Sequence, residues 1–413
     1  MTIRPAIASA EAPTTIENAD ITVVGGGGHV GIPLVLALAE SGLRVNVNDL
    51  NQATLDILKS GKLPFIEEGA ERVLAEALAN KRLVFTSSPD LISKSGPVII
   101  TIGTPVDEFL NPVRRVVQEC IDSMLPALAD GQLVVLRSTV FPGTTDWLNK
   151  YLAAKGRKLK VAFCPERVVQ GLGLKELRAM PQIVSGCTPE AEREAATLFE
   201  RIAPEVVVAT PIEAELAKLF SNAYRYIEFA ATNEFYLVAK LAGVDYQRVM
   251  AAMKHNYPRL KSLPRPGFAA GPCLVKDTMQ LSAFARNQFG LGHAALLINE
   301  GLVLHVIDDL RQRFDLGNTT VGLLGMAFKA ESDDTRASLS YKLKKALTSQ
   351  ARAVLTTDPF VTTDPDLRPL DEVIDGSDVM VLCAPHTLYA RADFKGKPVF
   401  DVWGHLEGAN IIR

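Results

Sequence analysis

A chain of 413 residues, 47% hydrophobic and 22% charged, is an ordinary globular protein too long for one compact core, so roughly two or three domains are expected. Its formal net charge of −3 argues against a nucleic-acid or anionic-membrane surface, which needs a basic excess. No stretch reads as long and apolar enough to span a bilayer.

Residues 1–19 lack a continuous apolar core and include Glu11 and Glu17, so they read as an extension ahead of the first strand and not as a secretion signal. The five cysteines are odd in number and widely spaced. A disulfide framework is not expected, and a reducing cytoplasm suits them. No cysteine pair has zinc-ligand spacing and the six histidines do not cluster, so no metal site is expected.

From residue 20 to 209, strand-like runs ("ITVVGG", "RVNVND", "PVIITIG", "QLVVLRS", "LKVAFCP") alternate with helical patterns. This predicts an α/β domain on a parallel, doubly wound sheet. Gly26, Gly28 and Gly31 have the spacing G-x-G-x-x-G between the first strand and a helix, as a tight turn beside a pyrophosphate requires. Gly25 and Gly27 leave the register open by one residue. Asp49 at the end of the second strand would accept hydrogen bonds from a ribose 2′-hydroxyl and repel a 2′-phosphate, which favours NAD over NADP. A glycine triplet alone also fits a ligand-free turn; strand, helix and acid together favour cofactor binding.

Residues 210–312 read as helical. Thr210 with Glu213 forms a capping box, Pro211 suits the first turn and Gly243 the end, so one helix of roughly 45–50 Å is expected. Lys218 and Asn222 share a face of it. They suit either a surface pair or groups that polarise a substrate oxygen. In "GPCLVKDT", Cys273 lies in a stretch that reads as a loop. It is either inert filler or a nucleophile, with Lys276 lowering its pKa and Asp277 as a base. Cys120, Cys164, Cys187 and Cys383 have weaker claims. Glu166 follows a strand end, where open sheets carry sites. Residues 313–413 repeat the α/β alternation without a glycine fingerprint. Their charged stretch, with Lys329, Asp333, Asp334 and Arg336, also fits a solvated loop.

The ordered motifs "GGGHVGIPL", "GKLPFIEEG", "IGTP", "STVFPGTT", "CPERVVQG", "AKLFSNAYRYIEFAATNE", "GPCLVKD" and "GMAFKAESDDTR" resemble the UDP-glucose/GDP-mannose dehydrogenase family of nucleotide-sugar dehydrogenases over nearly the whole chain. The resemblance implies two Rossmann-like domains joined by a long central helix. It makes 20–209 the NAD-binding domain, 210–312 a central dimerisation region with the catalytic loop, and 313–413 the UDP-binding domain. It implies oxidation of a hexose C6 alcohol to the carboxylate with two NAD per sugar, in a cytoplasmic homodimer that makes polysaccharide or lipopolysaccharide precursors.

By the same resemblance Cys273 is the nucleophile, Lys218 and Asn222 stabilise oxyanions, and Asp277 is the base. Glu166 lies beside the substrate and Thr139 at the nicotinamide and water. Gly26, Gly28, His29, Val30, Gly31, Asp49, Thr104, Lys276 and Arg336 contact the cofactor. Arg167, Val168, Arg259 (from across a dimer interface), Gly267, Gly271, Phe328 and Lys329 contact the substrate. Ala269 and Ala270 replace the glycines of many members, and Gln170 replaces a second glutamate of glucose-oxidising ones. The "CPERV" form is closer to members acting on UDP-N-acetylhexosamines. The rival readings are a UDP-glucose or GDP-mannose dehydrogenase, a two-electron hydroxyacid dehydrogenase and a non-catalytic sugar-nucleotide sensor.

Overall fold

The computed structural model describes residues 19–89, 92, 96–107, 113–269 and 271–413. All but the last residue of the N-terminal extension, and Ala270, lie outside these residues. The first sheet contains β1 (Ile21–Val24), β2 (Val45–Asn48), β3 (Leu83–Thr86), β4 (Val98–Ile100), β5 (Leu133–Leu136), β6 (Lys160–Phe163), β7 (Gln182–Gly186) and β8 (Val206–Val208). Its order is β3-β2-β1-β4-β5-β6-β7-β8. Val23 pairs with Val47 on one side and Ile99 on the other. The order therefore reverses between β1 and β4, which opens a crevice at their carboxyl ends. The sheet is parallel except that β6 and β7 run antiparallel, a departure from the all-parallel expectation.

Helices α1 (Gly31–Glu40), α2 (Gln52–Lys59), α3 (Ala70–Ala79), α4 (Arg114–Met124), α5 (Thr144–Ala154), α6 (Gly173–Leu177) and α7 (Pro189–Phe199) connect these strands. Val23 and Val135 belong to one apolar cluster, Val24 and Val134 to another. Neighbouring strand residues point to opposite faces, so each sheet face has its own core.

The long helix is α8 (Pro211–Leu241), 31 residues or about 46 Å, with the Thr210–Glu213 capping box formed. It is followed by α9 (Tyr246–Lys254), α10 (Pro272–Phe284) and α11 (Gly290–Arg313), and both α10 and α11 pack along α8. With an 18-residue window of mean hydropathy 1.4, α11 is by length and composition long and apolar enough to cross a membrane, contrary to the sequence reading. Glu300, Asp308 and Asp309 hid this from a search for an uncharged run. Its Asn299, Leu302, Val303 and Val306 are buried, as in a helix that forms part of a core.

The second sheet holds β9 (Thr320–Leu324), β10 (Ala353–Thr357), β11 (Val379–Leu382), β12 (Val399–Phe400) and β13 (Ile411–Ile412), in the order β10-β9-β11-β12-β13. Its helices are α12 (Leu339–Thr348), capped by Ser338, and α13 (Leu370–Gly376). All its pairings are parallel. The sequence reading stopped at β12. A two-residue β13 carries too little pattern to be seen.

Candidate active site

The glycine-rich turn leaves β1 at the crevice. A Cβ on Gly31 would lie 2.4 Å from the Gly25 carbonyl oxygen, so Gly31 packs helix against strand, and the register is Gly26, Gly28, Gly31. A Cβ on Gly28 would meet only one atom within 4 Å, which leaves its backbone approachable. No side chain caps α1 at Val30. A bare helix N-terminus presents free N–H groups to an anion. The Asp49 carboxylate, just past β2, accepts from the N–H groups of Gly27 and Asn51, each at 2.9 Å. These residues fit a dinucleotide: amides for its pyrophosphate and a carboxylate for its ribose. His29 stacks on Phe65 at 4.0 Å, with Arg336 Nη2 3.5 Å from its Nδ1.

Across the crevice, Cys273 is not in a loop. It is the second residue of α10, because Gly271 turns the chain at φ 105° and Pro272 takes the first helical position. The helix N-terminus favours a thiolate. The Cys273 side chain is exposed, yet protein atoms crowd round the thiol and desolvate it. That crowding raises its pKa above the ordinary thiol value, and Asp277 adds to the rise. Lys218, Lys276 and Arg336 oppose it, so the expected effect of Lys276 is present but does not win.

Lys218 and Asn222 are buried and so are not a surface pair. Asn222 Nδ2 donates to Asp277 Oδ2 at 2.6 Å, while Asp277 Oδ1 has no hydrogen-bond partner among the described residues. Lys276 Nζ lies 3.7 Å from Asp277 Oδ1 and 3.3 Å from the Thr104 carbonyl and hydroxyl oxygens. Thr104 Oγ1 in turn donates to the Thr139 carbonyl at 2.6 Å. One cluster thus joins Lys218, Asn222, Cys273, Lys276, Asp277, Thr104 and Thr139.

Glu166 has a different setting. One oxygen pairs with the fully buried Arg137, and the other accepts from the N–H groups of Arg167 at 2.7 Å and Val168 at 2.9 Å. Arg137 also donates to Gln182 Oε1 at 3.0 Å and stacks over Phe199. Nothing in "VVLRS" distinguished Arg137 from a surface arginine. The Arg167 side chain donates to the Pro181 carbonyl.

The charged stretch after β9 is not a solvated loop. Asp334 is buried, bidentate to Arg336 and bonded to the Gln170 side chain. Asp333 accepts from the Ile66 N–H at 3.1 Å, and Lys329 donates to the Gln170 carbonyl. The stretch therefore bridges the two sheet domains. Arg225, missed in the sequence, lies close enough to help lower the Lys329 pKa, which burial chiefly depresses. A Cβ on Gly271 would press the Phe328 ring at 2.8 Å, and one on Gly267 the Trp403 ring at 2.3 Å. Arg259 is exposed, its guanidinium 6.0 Å from the Tyr257 ring centroid. Among the described residues no hydrogen bond or ion pair ties it to the cluster.

Models of three domains match this chain: the NAD-binding domain of the UDP-glucose/GDP-mannose dehydrogenase family over residues 19–203, its central domain over 212–300 and its UDP-binding domain over 322–408. The chain belongs to this family. It is 30% identical over 404 residues to a UDP-N-acetyl-D-mannosamine dehydrogenase of Pyrococcus horikoshii, covering 94% of each chain. It is 27% identical to an NDP-N-acetyl-D-galactosaminuronic acid dehydrogenase of Ralstonia nicotianae, covering 96% of this chain and 98% of that one. A solved UDP-glucose dehydrogenase from Pyrobaculum islandicum superposes with a TM-score of 0.88 at 26% identity, covering 97% and 98%. The protein is an NAD-dependent nucleotide-sugar dehydrogenase.

Proposed function

We propose that the substrate is a UDP-N-acetylhexosamine and that its C6 alcohol is oxidised to the carboxylate through a covalent adduct on Cys273. The observation that carries this is the thiol at the start of α10, beside buried Lys218, Asn222 and Asp277. NAD, when bound, supplies the hydride acceptor for both oxidations. Gly26, Gly28, Gly31, Val30, His29, Asp49, Thr104, Thr139, Lys276 and Arg336 are the residues that would hold it.

The chemistry follows from the thiol. After the first oxidation, Sγ forms a bond to the aldehyde carbon and the carbonyl oxygen takes a proton, giving a thiohemiacetal. That carbon keeps its hydrogen, so it can be oxidised again to a thioester. Water then adds, the C–S bond breaks, and the carboxylate leaves with the thiol restored. Lys218 and Asn222 donate to the oxygen that becomes negative at each stage. Asp277 Oδ1, without a hydrogen-bond partner, is the acceptor for the water proton. Glu166 acts by shaping the 166–168 turn against the sugar, because both its oxygens are already engaged. Phe328, Lys329, Gly267 and Gly271 would complete the substrate pocket, and Arg259 would reach the substrate of a second subunit.

The N-acetylhexosamine assignment draws on the names of the relatives and on Gln170, which contacts Asp334 where a glutamate would set two carboxylates together. We assign the chain to domains at 20–209, 210–312 and 313–413. We also assign it to a cytoplasmic homodimer built on α8 and α11, whose outer faces expose Tyr224, Val238, Leu241, Leu297 and Leu304. The test is kcat/KM across UDP-N-acetylglucosamine, UDP-N-acetylmannosamine, their galacto forms, UDP-glucose and GDP-mannose. The proposal expects one N-acetylated sugar to lead by at least roughly tenfold, the scale of a few well-made pocket contacts. A lead by UDP-glucose or GDP-mannose would overturn it.

A further inference from the structure

We infer that Glu215 is a positioning residue that closes a ring of contacts around the reaction centre. Glu215 is buried on α8, 1% exposed. With Lys218 and Asn222 it follows the spacing i, i+3, i+7, so the three share one face of the helix. Its carboxylate accepts from the Gly143 N–H at 2.5 Å, the Thr145 N–H at 2.8 Å and Thr145 Oγ1 at 2.6 Å. Gly143 caps α5 with φ 88° and offers no side chain to the helix start. Glu215 reaches over from another helix and supplies the acceptor that α5 lacks.

The bond spans two parts of the site. The segment from β5 to α5 carries Thr139, whose carbonyl holds Thr104, and Ser138, whose hydroxyl donates to the Ile102 carbonyl at 2.5 Å. Thr104 holds Lys276, and Asp277 beside it holds Asn222 on α8. From Asn222 the path returns along α8 to Glu215 and back to Thr145. Each segment reaches its neighbour through buried or half-buried polar contacts. Glu215 gives the α8 side a direct polar tie to the segment from β5 to α5, beside the tie that runs through α10. Hydride transfer tolerates little misplacement: an error near 1 Å can cost on the order of 100-fold in rate. Glu215 thus sets how far Lys218 and Asn222 stand from the segment that carries Thr139.

This rests on the proposed roles of Lys218, Asn222 and Thr139, and its test separates the two. Glu215→Gln keeps the shape but cannot accept all three bonds. Thr145→Val removes only a hydroxyl and keeps the experiment alive if the first variant fails to fold. We would measure kcat, KM, melting temperature and the isotope effect with C6-deuterated substrate for both single variants and the double. The expected result is a fall in kcat of about tenfold or more, a raised isotope effect and KM within about twofold, with the double no worse than the weaker single. A lower melting temperature with unchanged kcat per folded molecule would make Glu215 merely structural and overturn the inference, as would additive losses. Wild-type turnover in the same assay reports on the functional reading alone.

Discussion

Two buried carboxylates at the crevice, Asp277 and Glu166, look alike in sequence and differ in what they have left to give. Glu166 is saturated, with Arg137 on one oxygen and two backbone N–H groups on the other. Asp277 gives one oxygen to Asn222 and leaves the second without a hydrogen-bond donor. A saturated group holds a fold in place. A group with unused capacity is costly to bury and is retained where chemistry needs it.

The largest test of that contrast is at the proposed nucleophile. Cys273→Ala should lower turnover by roughly 10³ or more while the melting temperature barely moves, since the side chain is exposed. Asp277→Asn should lower turnover by roughly 10²–10³, as for a general base. It should also make Cys273 alkylate faster near neutral pH. Asp277 helps raise the thiol pKa, so removing its charge lowers that pKa and increases the thiolate fraction at a given pH, and iodoacetamide labelling against pH reads this directly. Lys218→Ala should act in the opposite direction.

Arg137→Met should instead cost stability, about 3–5 kcal/mol by denaturant titration, because it strands a buried carboxylate. Its effect on turnover per folded molecule should be the smaller one. The smallest change is at the cofactor. Asp49→Asn should weaken NAD binding by about 1.5–3 kcal/mol in calorimetry and narrow the preference over NADP.

The parts legible in the sequence were those set by local rules. The capping box at Thr210 and the glycine spacing before α1 each depend on neighbours a few residues away, and the acid after β2 is found by its fixed spacing from those glycines. The helix at Cys273 was missed because Gly271 and Pro272 read as breakers, although proline at the first position also starts helices. Arg137, Glu215 and Arg225 were invisible for another reason. Their partners lie in other elements, such as Glu166 and Gln182 for Arg137 or Gly143 and Thr145 for Glu215, and no periodicity records a pairing across the fold. The stretch from Lys329 to Arg336 looked solvated because its charges balance locally. In the fold Asp334 is buried, and its stretch reaches the other sheet domain through Asp333 and Lys329.

The most direct measurement is the NADH formed per nucleotide sugar consumed, with mass spectrometry of quenched enzyme alongside. The account predicts two NADH per sugar, an acyl adduct on the peptide carrying Cys273, and loss of both in Cys273→Ala. One NADH per sugar, or two with no adduct and full activity in the variant, would contradict it.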